Sequence, residues 1–234
     1  MKTTLFVPVL NECEGMKIIM PRIKKEWVDE IFIMDGGSID GTVELAKQMG
    51  YKVSVQKRKG IRHAYTEALA QVKGDVIIPF SPDGNSIPEV IPQLIAKISE
   101  GYDMVTASRY LGDAKSDDDG AVTGFGNWMF TKLINILHGG SYTDAMVMYR
   151  AWRKQVFYDL DLHKDESYAF EEKMFHTVVG VEPLLSVRAA KRKLKYAEIP
   201  ADEPPRLGGK AKLQPLRWGA SYLYEVLREK FIWK

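Results

Sequence analysis

Oxygen-bearing side chains are concentrated in the run Ser81-Pro82-Asp83-Gly84-Asn85, which directly follows an apolar segment. Asp83, Asn85 and the hydroxyl of Ser81 supply hard oxygen ligands near one point. Such ligands suit Mg²⁺ or Mn²⁺, whose remaining coordination positions can go to substrate phosphates. A Pro-Asp-Gly-Asn turn also forms without any metal. The residue types here therefore predict either a divalent metal site or a plain turn.

Two earlier polar runs also follow apolar segments. Asn11 and Glu12 end the first, where a polar pair can hold the edge of a base or a sugar, or can simply begin a helix. Asp35 opens the second, and the glycines after it let the backbone approach a ligand while its carboxylate accepts from an imide N–H or a ribose hydroxyl. Asp40 suits a helix N-cap, which leaves Asp35 unexplained. No G-x-G-x-x-G dinucleotide fingerprint occurs here.

The elements that must position these runs alternate along the first hundred residues. Apolar runs predict strands at residues 3–9, 30–34, 52–56, 75–80 and 103–107, and helical patterns between them predict helices at 15–26, 40–49, 60–72 and 88–100. This repetition is typical of an α/β protein with a mainly parallel sheet and helices on both faces. Such sheets bind ligands beyond the carboxyl ends of their strands, so the three polar runs should meet at one edge.

The pattern changes after residue 110. We predict, in order, a Gly/Asp-rich loop at 112–126, a helix at 127–137, strands at 181–190 and 195–199, a basic Pro/Gly-rich loop at 201–213 and an amphipathic helix at 216–232. Asp117–Asp119 are interpreted as a solvated part of the first loop. Trp, Tyr and Leu alternate with Arg and Lys in the last helix, which suits a membrane surface or ordinary packing on the catalytic domain.

The charge of the chain is unevenly distributed. The total is +2, with 33 Lys and Arg against 31 Asp and Glu, which argues against a nucleic-acid binder. Residues 188–234 nevertheless carry about +7 and residues 1–187 about −5 by count from the sequence, which suggests a polyanionic or membrane-surface partner for the tail. The single cysteine and the lack of a long apolar run or signal-like start lead us to expect a cytoplasmic protein, able to attach to the inner face of a membrane.

Taken in order, the motifs resemble family 2 glycosyltransferases of the GT-A fold, and in particular the polyprenol-phosphate, dolichol-phosphate mannose synthase-like branch. The resemblance runs through nearly the whole chain. The matching segments are Pro8–Glu12, Asp35–Thr42, Gly60–Ala64, Gly74-Asp75, Ser81–Asp83, Pro88-Glu89, Ser108–Tyr110, Gly126-Asn127, Thr143-Asp144, Tyr149-Arg150, Arg153, Glu182-Pro183, Glu198–Pro200 and Arg206–Lys212. One such match is weak evidence, but an ordered set of this length is hard to obtain by chance.

The resemblance implies a metal-dependent hexosyltransferase that moves a sugar from a nucleotide-diphospho-sugar with inversion at the anomeric carbon. It implies a GT-A catalytic domain at residues 1–212, divided into a donor half at 1–110 and an acceptor half at 111–212, and a C-terminal amphipathic helix at 213–234. The implied nucleotide-sugar contacts are Pro8, Asn11, Glu12, Asp35, Gly37, Ser38, Arg62, Ser81, Pro82 and Asp83. Asp83 and Asn85 are the implied ligands of Mg²⁺ or Mn²⁺.

The implied acceptor is polyprenyl phosphate, with Arg109, Arg150, Arg206 and Lys210 as candidates to hold its phosphate. Asp83, Asp144 and Arg150 are the candidate catalytic residues. Because a phosphate acceptor is already anionic, Asp144 would then only orient neighbouring groups. If the acceptor is a sugar hydroxyl of a glycan, Asp144 becomes the leading general base.

Three departures from the family pattern bear on these expectations. Gly36 replaces the second Asp of D-D-G-S, Ser81 replaces the first Asp of D-x-D, and Met148 replaces a Gly before Tyr149. Asp83 is then the sole carboxylate of the metal motif, so metal affinity should be lowered. Because of these departures, an inactive nucleotide-sugar binding protein stays an alternative. A nucleotidyltransferase is a further alternative, but this sequence lacks the basic Gly-rich loop expected of one. A homo-oligomer is compatible with the sequence.

Overall fold

A single seven-stranded sheet organises the computed structural model, which describes residues 1–207 and 215–233. The strands of this described part are β1 (Thr3–Val9), β2 (Glu30–Asp35), β3 (Lys52–Val55), β4 (Val76–Pro79), β5 (Met104–Ser108), β6 (Arg150–Arg153) and β7 (Tyr196–Pro200). Their spatial order is β3-β2-β1-β4-β6-β5-β7. All neighbours run parallel except β6, which is antiparallel to β4 and β5. The carboxyl ends of the parallel strands therefore share one edge.

Helices cover both faces of this sheet. They are α1 (Cys13–Ile19), α2 (Thr42–Gln48), α3 (Ile61–Leu69), α4 (Ile91–Ser99), α5 (Ala121–His138), α6 (Lys154–Asp159), α7 (Ala169–Phe175), α8 (Glu182–Lys191) and α9 (Pro215–Glu229). Alternate residues of β1 point to opposite faces, so Leu5 and Val7 join one core with α1 and α4, while Phe6 joins another with α3, α5, α8 and α9. This burial on both faces explains the unbroken apolar run from Leu5 to Val9 in β1.

Several predicted elements are correct in position and differ in length. The helix predicted at 15–26 ends at Ile19 and continues as two short 3₁₀ turns, because Pro21 cannot donate the hydrogen bond that an α-helix would need. The helix predicted at 127–137 begins six residues earlier, at Ala121. The strands predicted in the first hundred residues match within one residue at each end.

The strand predicted at residues 181–190 is wrong, because this segment is helix α8. Nearly every residue of α8 is buried, including Leu184, Leu185 and Val187. A short apolar run that is buried all round has no helical periodicity, and it looks the same in sequence as a buried strand. Pro183 in the first turn is the signal that favours a helix start.

β6, α6 and α7 were not predicted. β6 has only four residues with Arg at both ends, so it carries almost no apolar pattern. The predicted domain boundary at 212–213 lies outside the described residues. Helix α9 packs on the same core as α5 and α8 through Tyr222 and Val226. None of the helices in the described part combines the length and the apolar character that a membrane crossing requires.

Candidate active site

The loops after β1 and β2 are tied to each other. The Asn11 side chain accepts a hydrogen bond from the Ile39 N–H at 2.9 Å, and the Asn11 N–H donates to Ser38 Oγ at 2.8 Å. The buried Asp35 carboxylate accepts from the N–H groups of Gly37 and Ser38 at 2.8 and 3.0 Å. Asp35 thus shapes the turn in which it lies. This explains the residue type, and its predicted contact with a nucleoside stays a prediction.

Helix α1 places the polar run at Asn11 and Glu12 against the predicted metal motif. The Asp40 carboxylate accepts from the first N–H groups of both α1 and α2, at Cys13 and Thr42, and so fixes where the two helices begin. Gly15 permits close packing, since a Cβ there would lie 2.4 Å from the Pro82 carbonyl oxygen. Glu12, at the start of α1, consequently lies close to the loop that carries Asp83.

The predicted metal motif contains the carboxylate of Asp83 and the side-chain amide of Asn85. Asp83 is 4% exposed, and its Oδ1 accepts the Asn85 N–H at 3.1 Å. Asn85 donates through Nδ2 to the Pro204 carbonyl at 3.2 Å, whereas its buried Oδ1 has no hydrogen-bond partner among the described residues. An orphaned buried acceptor beside a carboxylate fits a hard divalent cation.

A cation here would depend on ligands beyond this motif. The described residues contain no cluster of three or more His, Cys, Asp or Glu side chains that could hold a metal ion. Asp83 and Asn85 would therefore hold an ion together with oxygens of a bound ligand. Ser81 and Pro82 precede them on the same loop, as the sequence implies.

Arg109 and Asp144 form a bidentate ion pair on the other side of the site. Arg109 Nε and Nη2 donate to the two oxygens of Asp144 at 2.6 and 3.0 Å. Asp144 is fully buried and also accepts the Val147 N–H at 3.2 Å. Burial alone would lower the pKa of Arg109, but the charge of Asp144 outweighs it and raises that pKa. The guanidinium is therefore a permanent cation.

The remaining nitrogen of the Arg109 guanidinium contacts a residue that is not predicted from the sequence. Arg109 Nη1 donates to Glu203 at 3.1 Å and lies 3.6 Å from Asp119. Burial raises the pKa of Glu203, and the charge of Arg109 partly offsets this. Asp119 is not solvated as expected, since it bonds to Tyr110 and Asn127. Nothing in the sequence around Glu203 indicated its partner, which lies 94 residues away.

A cavity of about 280 Å³ joins the two sides. Its lining includes Ser81, Asp83, Asn85, Arg109, Glu203 and Arg206. Arg206 was predicted to hold an acceptor phosphate, and in the structure its Nη2 lies 2.6 Å from Asp83 Oδ2 and its Nη1 lies 3.5 Å from Glu12. Lys210, predicted beside it, lies outside the described residues.

Two further predicted ligands are engaged elsewhere in the fold. Arg150 is buried and donates to the Val147 carbonyl and to Ser186 Oγ, at 2.9 and 3.0 Å, so it braces the segment that carries Asp144. Arg62 is also buried and pairs with Asp165 and Glu172 at 2.7 and 2.8 Å. Neither side chain is among the described residues that line the cavity.

Comparison with known proteins agrees with this architecture. The model of the family described as "Glycosyl transferase family 2" matches residues 4–161. The glycosyltransferase AglJ of Haloferax volcanii is 27% identical over 226 residues, which span 96% of this chain and 70% of that protein. The dolichyl-phosphate hexose transferase of the same organism is 27% identical over 192 residues, spanning 82% of this chain and 77% of that protein.

A relative from Pyrococcus furiosus and one solved structure complete the comparison. The Pyrococcus dolichol-phosphate mannosyltransferase is 27% identical, and the match spans 97% of this chain and 62% of that protein. The crystal structure of glucosyl-3-phosphoglycerate synthase from Mycobacterium tuberculosis, in complex with Mn²⁺, uridine diphosphate and phosphoglyceric acid, aligns with a TM-score of 0.72 at 18% identity and covers all of this chain and 80% of that one. That likeness concerns the fold, and it confirms the predicted α/β GT-A architecture.

Proposed function

The chain belongs to glycosyl transferase family 2, and on that premise we propose that it transfers a hexose from a nucleotide-diphospho-sugar to polyprenyl phosphate, with a divalent ion and inversion at the anomeric carbon. Family membership and the glycosyltransferases among its relatives confirm the predicted enzyme class. The identity of the donor, the acceptor and the ion belongs to the proposal.

The observation that carries the proposal is the pairing of opposite charges across one cavity. Asp83 and Asn85 line one part of it, and Arg109 lines another. A metal-bound diphosphate fits the first part, because oxygen ligands and phosphates complete the coordination of Mg²⁺ or Mn²⁺. An anionic acceptor fits the second, because an arginine can bind phosphate through two parallel hydrogen bonds. The cavity thus suits a reaction between two phosphate-bearing substrates.

On the donor side, Pro8, Asn11, Glu12 and Asp35 would hold the nucleoside at the ends of β1 and β2. Asp83 and Asn85 would hold the ion on the diphosphate. When bound, the ion supplies Lewis-acid stabilisation of the charge that grows on the departing nucleoside diphosphate. The Gly37 turn leaves open space near this edge, since a Cβ there would meet no atom within 4 Å.

On the acceptor side, the position of Asp144 favours a phosphate over a sugar hydroxyl. A hydroxyl must lose a proton to a base within hydrogen-bond reach, but Asp144 is fully buried and both of its oxygens are bonded to Arg109. A phosphate needs no such base. The relatives named as dolichyl-phosphate hexose transferase and dolichol-phosphate mannosyltransferase support the same acceptor class. Asp144 would then orient Arg109.

The outer face of α9 supports action at a membrane surface. Leu216, Leu223 and Leu227 are exposed along one side of this helix, while Ser221 and Glu225 are buried on the other. These exposed leucines are seven and four residues apart, so they lie on one face of the helix and form an apolar stripe. Phe125 and Trp128 of α5 are exposed as well. We therefore propose peripheral attachment at the cytoplasmic face of a membrane, where a lipid acceptor is found.

A transfer assay tests the proposal. A panel of nucleotide-diphospho-sugars is incubated with polyprenyl phosphate or with soluble sugars, with Mn²⁺, Mg²⁺ or a chelator, and products are read by mass spectrometry. We expect metal-dependent transfer to the lipid phosphate, reduced at least about 100-fold by Asp83→Asn because a ligand to the ion is lost. Asp118→Asn, an exposed carboxylate at the same cavity, should be much less damaging. Transfer confined to soluble sugars would contradict the proposal.

A further inference from the structure

The cavity has two charged walls, one formed by a carboxylate and the other by a guanidinium. Each of these groups makes one contact with its own surroundings in the fold and another contact with a single short segment. On Asp83, Oδ1 accepts the Asn85 N–H, which belongs to its own turn. The other oxygen, Oδ2, is 2.6 Å from the Arg206 guanidinium, whose side chain is 24% exposed. The oxygen that would face a metal ion is thus covered by a cation supplied by the chain itself.

Arg109 shows the same division. Its Nε and Nη2 are bound to Asp144, which the fold encloses completely. Its Nη1 donates to Glu203 at 3.1 Å and also lies 3.6 Å from Asp119, and the side chain of Glu203 is more accessible than that of Asp144. The edge of the guanidinium that would face an acceptor phosphate is thus covered by a carboxylate, only three residues from Arg206.

Backbone contacts hold this closing segment, residues 203–207, in place. Glu203 pairs with the strand-like residues 115–117 through two backbone hydrogen bonds of 2.9 Å each. At the other end, the Leu207 N–H donates to the Asp83 carbonyl at 2.8 Å. The Leu207 side chain lies on Gly84, where an added Cβ would be 2.6 Å from its Cγ. The segment therefore bridges the two walls as one unit.

We infer that the closing segment stands in for both substrates, with Arg206 in the place of the metal ion at Asp83 and Glu203 in the place of the acceptor phosphate at Arg109. This inference rests on the proposed function, which assigns the ion and the phosphate to those two residues. Each substrate must displace the segment from its own wall. Because the two contacts belong to one short segment, release at one wall weakens the contact at the other, and the two binding events are positively coupled.

Manganese binding to Glu203→Gln tests this inference, because displacement and simple charge predict opposite signs. Removing a negative charge near the site should by itself weaken binding of a cation. If Glu203 anchors the segment that covers Asp83, its removal instead frees Asp83 and should tighten Mn²⁺ binding by about three- to tenfold. Free Mn²⁺ is measured by electron paramagnetic resonance with the full chain, without donor, and thermal unfolding confirms that each variant is folded.

Two matched variants complete the experiment. Asp117→Asn removes the same charge from an exposed side chain next to residue 116, and it should leave Mn²⁺ binding unchanged or slightly weaker. Asp83→Asn should remove the site. If Asp83→Asn leaves Mn²⁺ binding unaltered, the proposed metal site itself fails. If Asp83→Asn removes binding but Glu203→Gln does not tighten it, only the inference about the closing segment fails.

The reciprocal variant provides a second, independent measurement. Arg206→Gln removes a positive charge, which by itself should weaken anion binding. Release of Glu203 from Arg109 should instead strengthen binding of inorganic phosphate, seen as a larger rise of the melting temperature at equal phosphate concentration. Lys115→Gln, which removes a positive charge from a side chain that is 69% exposed, should not do so. Weaker phosphate binding by Arg206→Gln would overturn the coupling.

Discussion

At the scale of single residues, the proposed role of Arg109 in binding the acceptor depends on the shape of its guanidinium as much as on its charge. Three of its nitrogens are used at once, two by Asp144 and one by Glu203. A lysine ammonium is a compact point charge and cannot span both partners. The proposal that Arg109 holds an acceptor phosphate therefore predicts that this position discriminates between Arg and Lys.

We predict that Arg109→Lys lowers kcat/KM for polyprenyl phosphate by about 10- to 100-fold, because the bidentate geometry is lost while the charge is kept. Steady-state kinetics at varied acceptor concentration measure this. Arg22→Lys, at an exposed pair with Glu89, serves as the control and should leave kcat/KM unchanged. An Arg109→Lys enzyme with wild-type kinetics would show that this residue does not hold the acceptor.

Residue types could be predicted from the sequence better than their partners. The motif residues Asp83, Asn85 and Arg109 do come together around one cavity. Arg62 was expected near the nucleotide, yet its side chain is bound to Asp165 and Glu172, more than a hundred residues away. An arginine in a motif indicates that an anion is bound there, but the sequence does not say whether that anion is a ligand or a carboxylate of the same chain.

At the scale of elements, the position of α9 depends on ion pairs buried beneath it. Arg188 of α8 binds Glu229 of α9 at 3.0 Å, and both side chains are almost fully enclosed. Such a pair contributes modestly while intact, but removal of one partner leaves an uncompensated buried charge. α9 is therefore held by charges on its inner face, while its leucines face outward.

We predict that Arg188→Ala destabilises the protein by about 3–5 kcal/mol, measured by urea or thermal unfolding. Arg22→Ala removes an exposed ion pair instead, and it should cost less than about 1 kcal/mol. Similar losses for the two variants would contradict the view that the Arg188 pair is a buried anchor of α9.

The elements themselves were predicted well where pattern and turn signals agree. The strands of the first hundred residues alternate with helices of clear periodicity. The observed ends of these strands lie within one residue of the predicted ends. α8 was mistaken for a strand because burial on all sides removes periodicity, and the short β6 carries too few apolar residues to be noticed. Tertiary burial decides these two elements, and local pattern does not reveal it.

At the scale of the whole molecule, the net charge counted from the sequence treats all acidic groups alike, although the fold buries some of them away from water. Glu225 of α9 is completely buried, and neither of its carboxylate oxygens has a hydrogen-bond partner among the described residues. Burial raises its pKa well above the ordinary 4.5, and the nearby charge of Glu171 adds to this. Glu171, Arg228, Glu229 and Arg188 are the charged groups around it. Glu225 therefore holds its proton more tightly in the folded chain than in the unfolded chain.

This raised pKa has a definite consequence for stability against pH. A group with a raised folded-state pKa stabilises the fold fully below its unfolded pKa, and that contribution is lost as the pH rises through the folded pKa. We predict that Glu225→Gln has a melting temperature close to wild type near pH 4.5 and a few degrees above it at pH 8, by differential scanning calorimetry. Glu166→Gln, on an exposed glutamate, should show no such trend, and a Glu225→Gln difference that shrinks with rising pH would refute the assignment.

The proposed reaction joins a sugar through its anomeric carbon to a phosphate with inverted configuration, and the chemical structure of the product reports directly on both features. Purified product from the full chain, a nucleotide-diphospho-sugar, Mn²⁺ and polyprenyl phosphate is examined by proton and phosphorus nuclear magnetic resonance. We predict an anomeric proton coupled to phosphorus, with the configuration opposite to that of the donor. An anomeric carbon bonded to another sugar, or retention of the donor configuration, would rule out the proposed reaction.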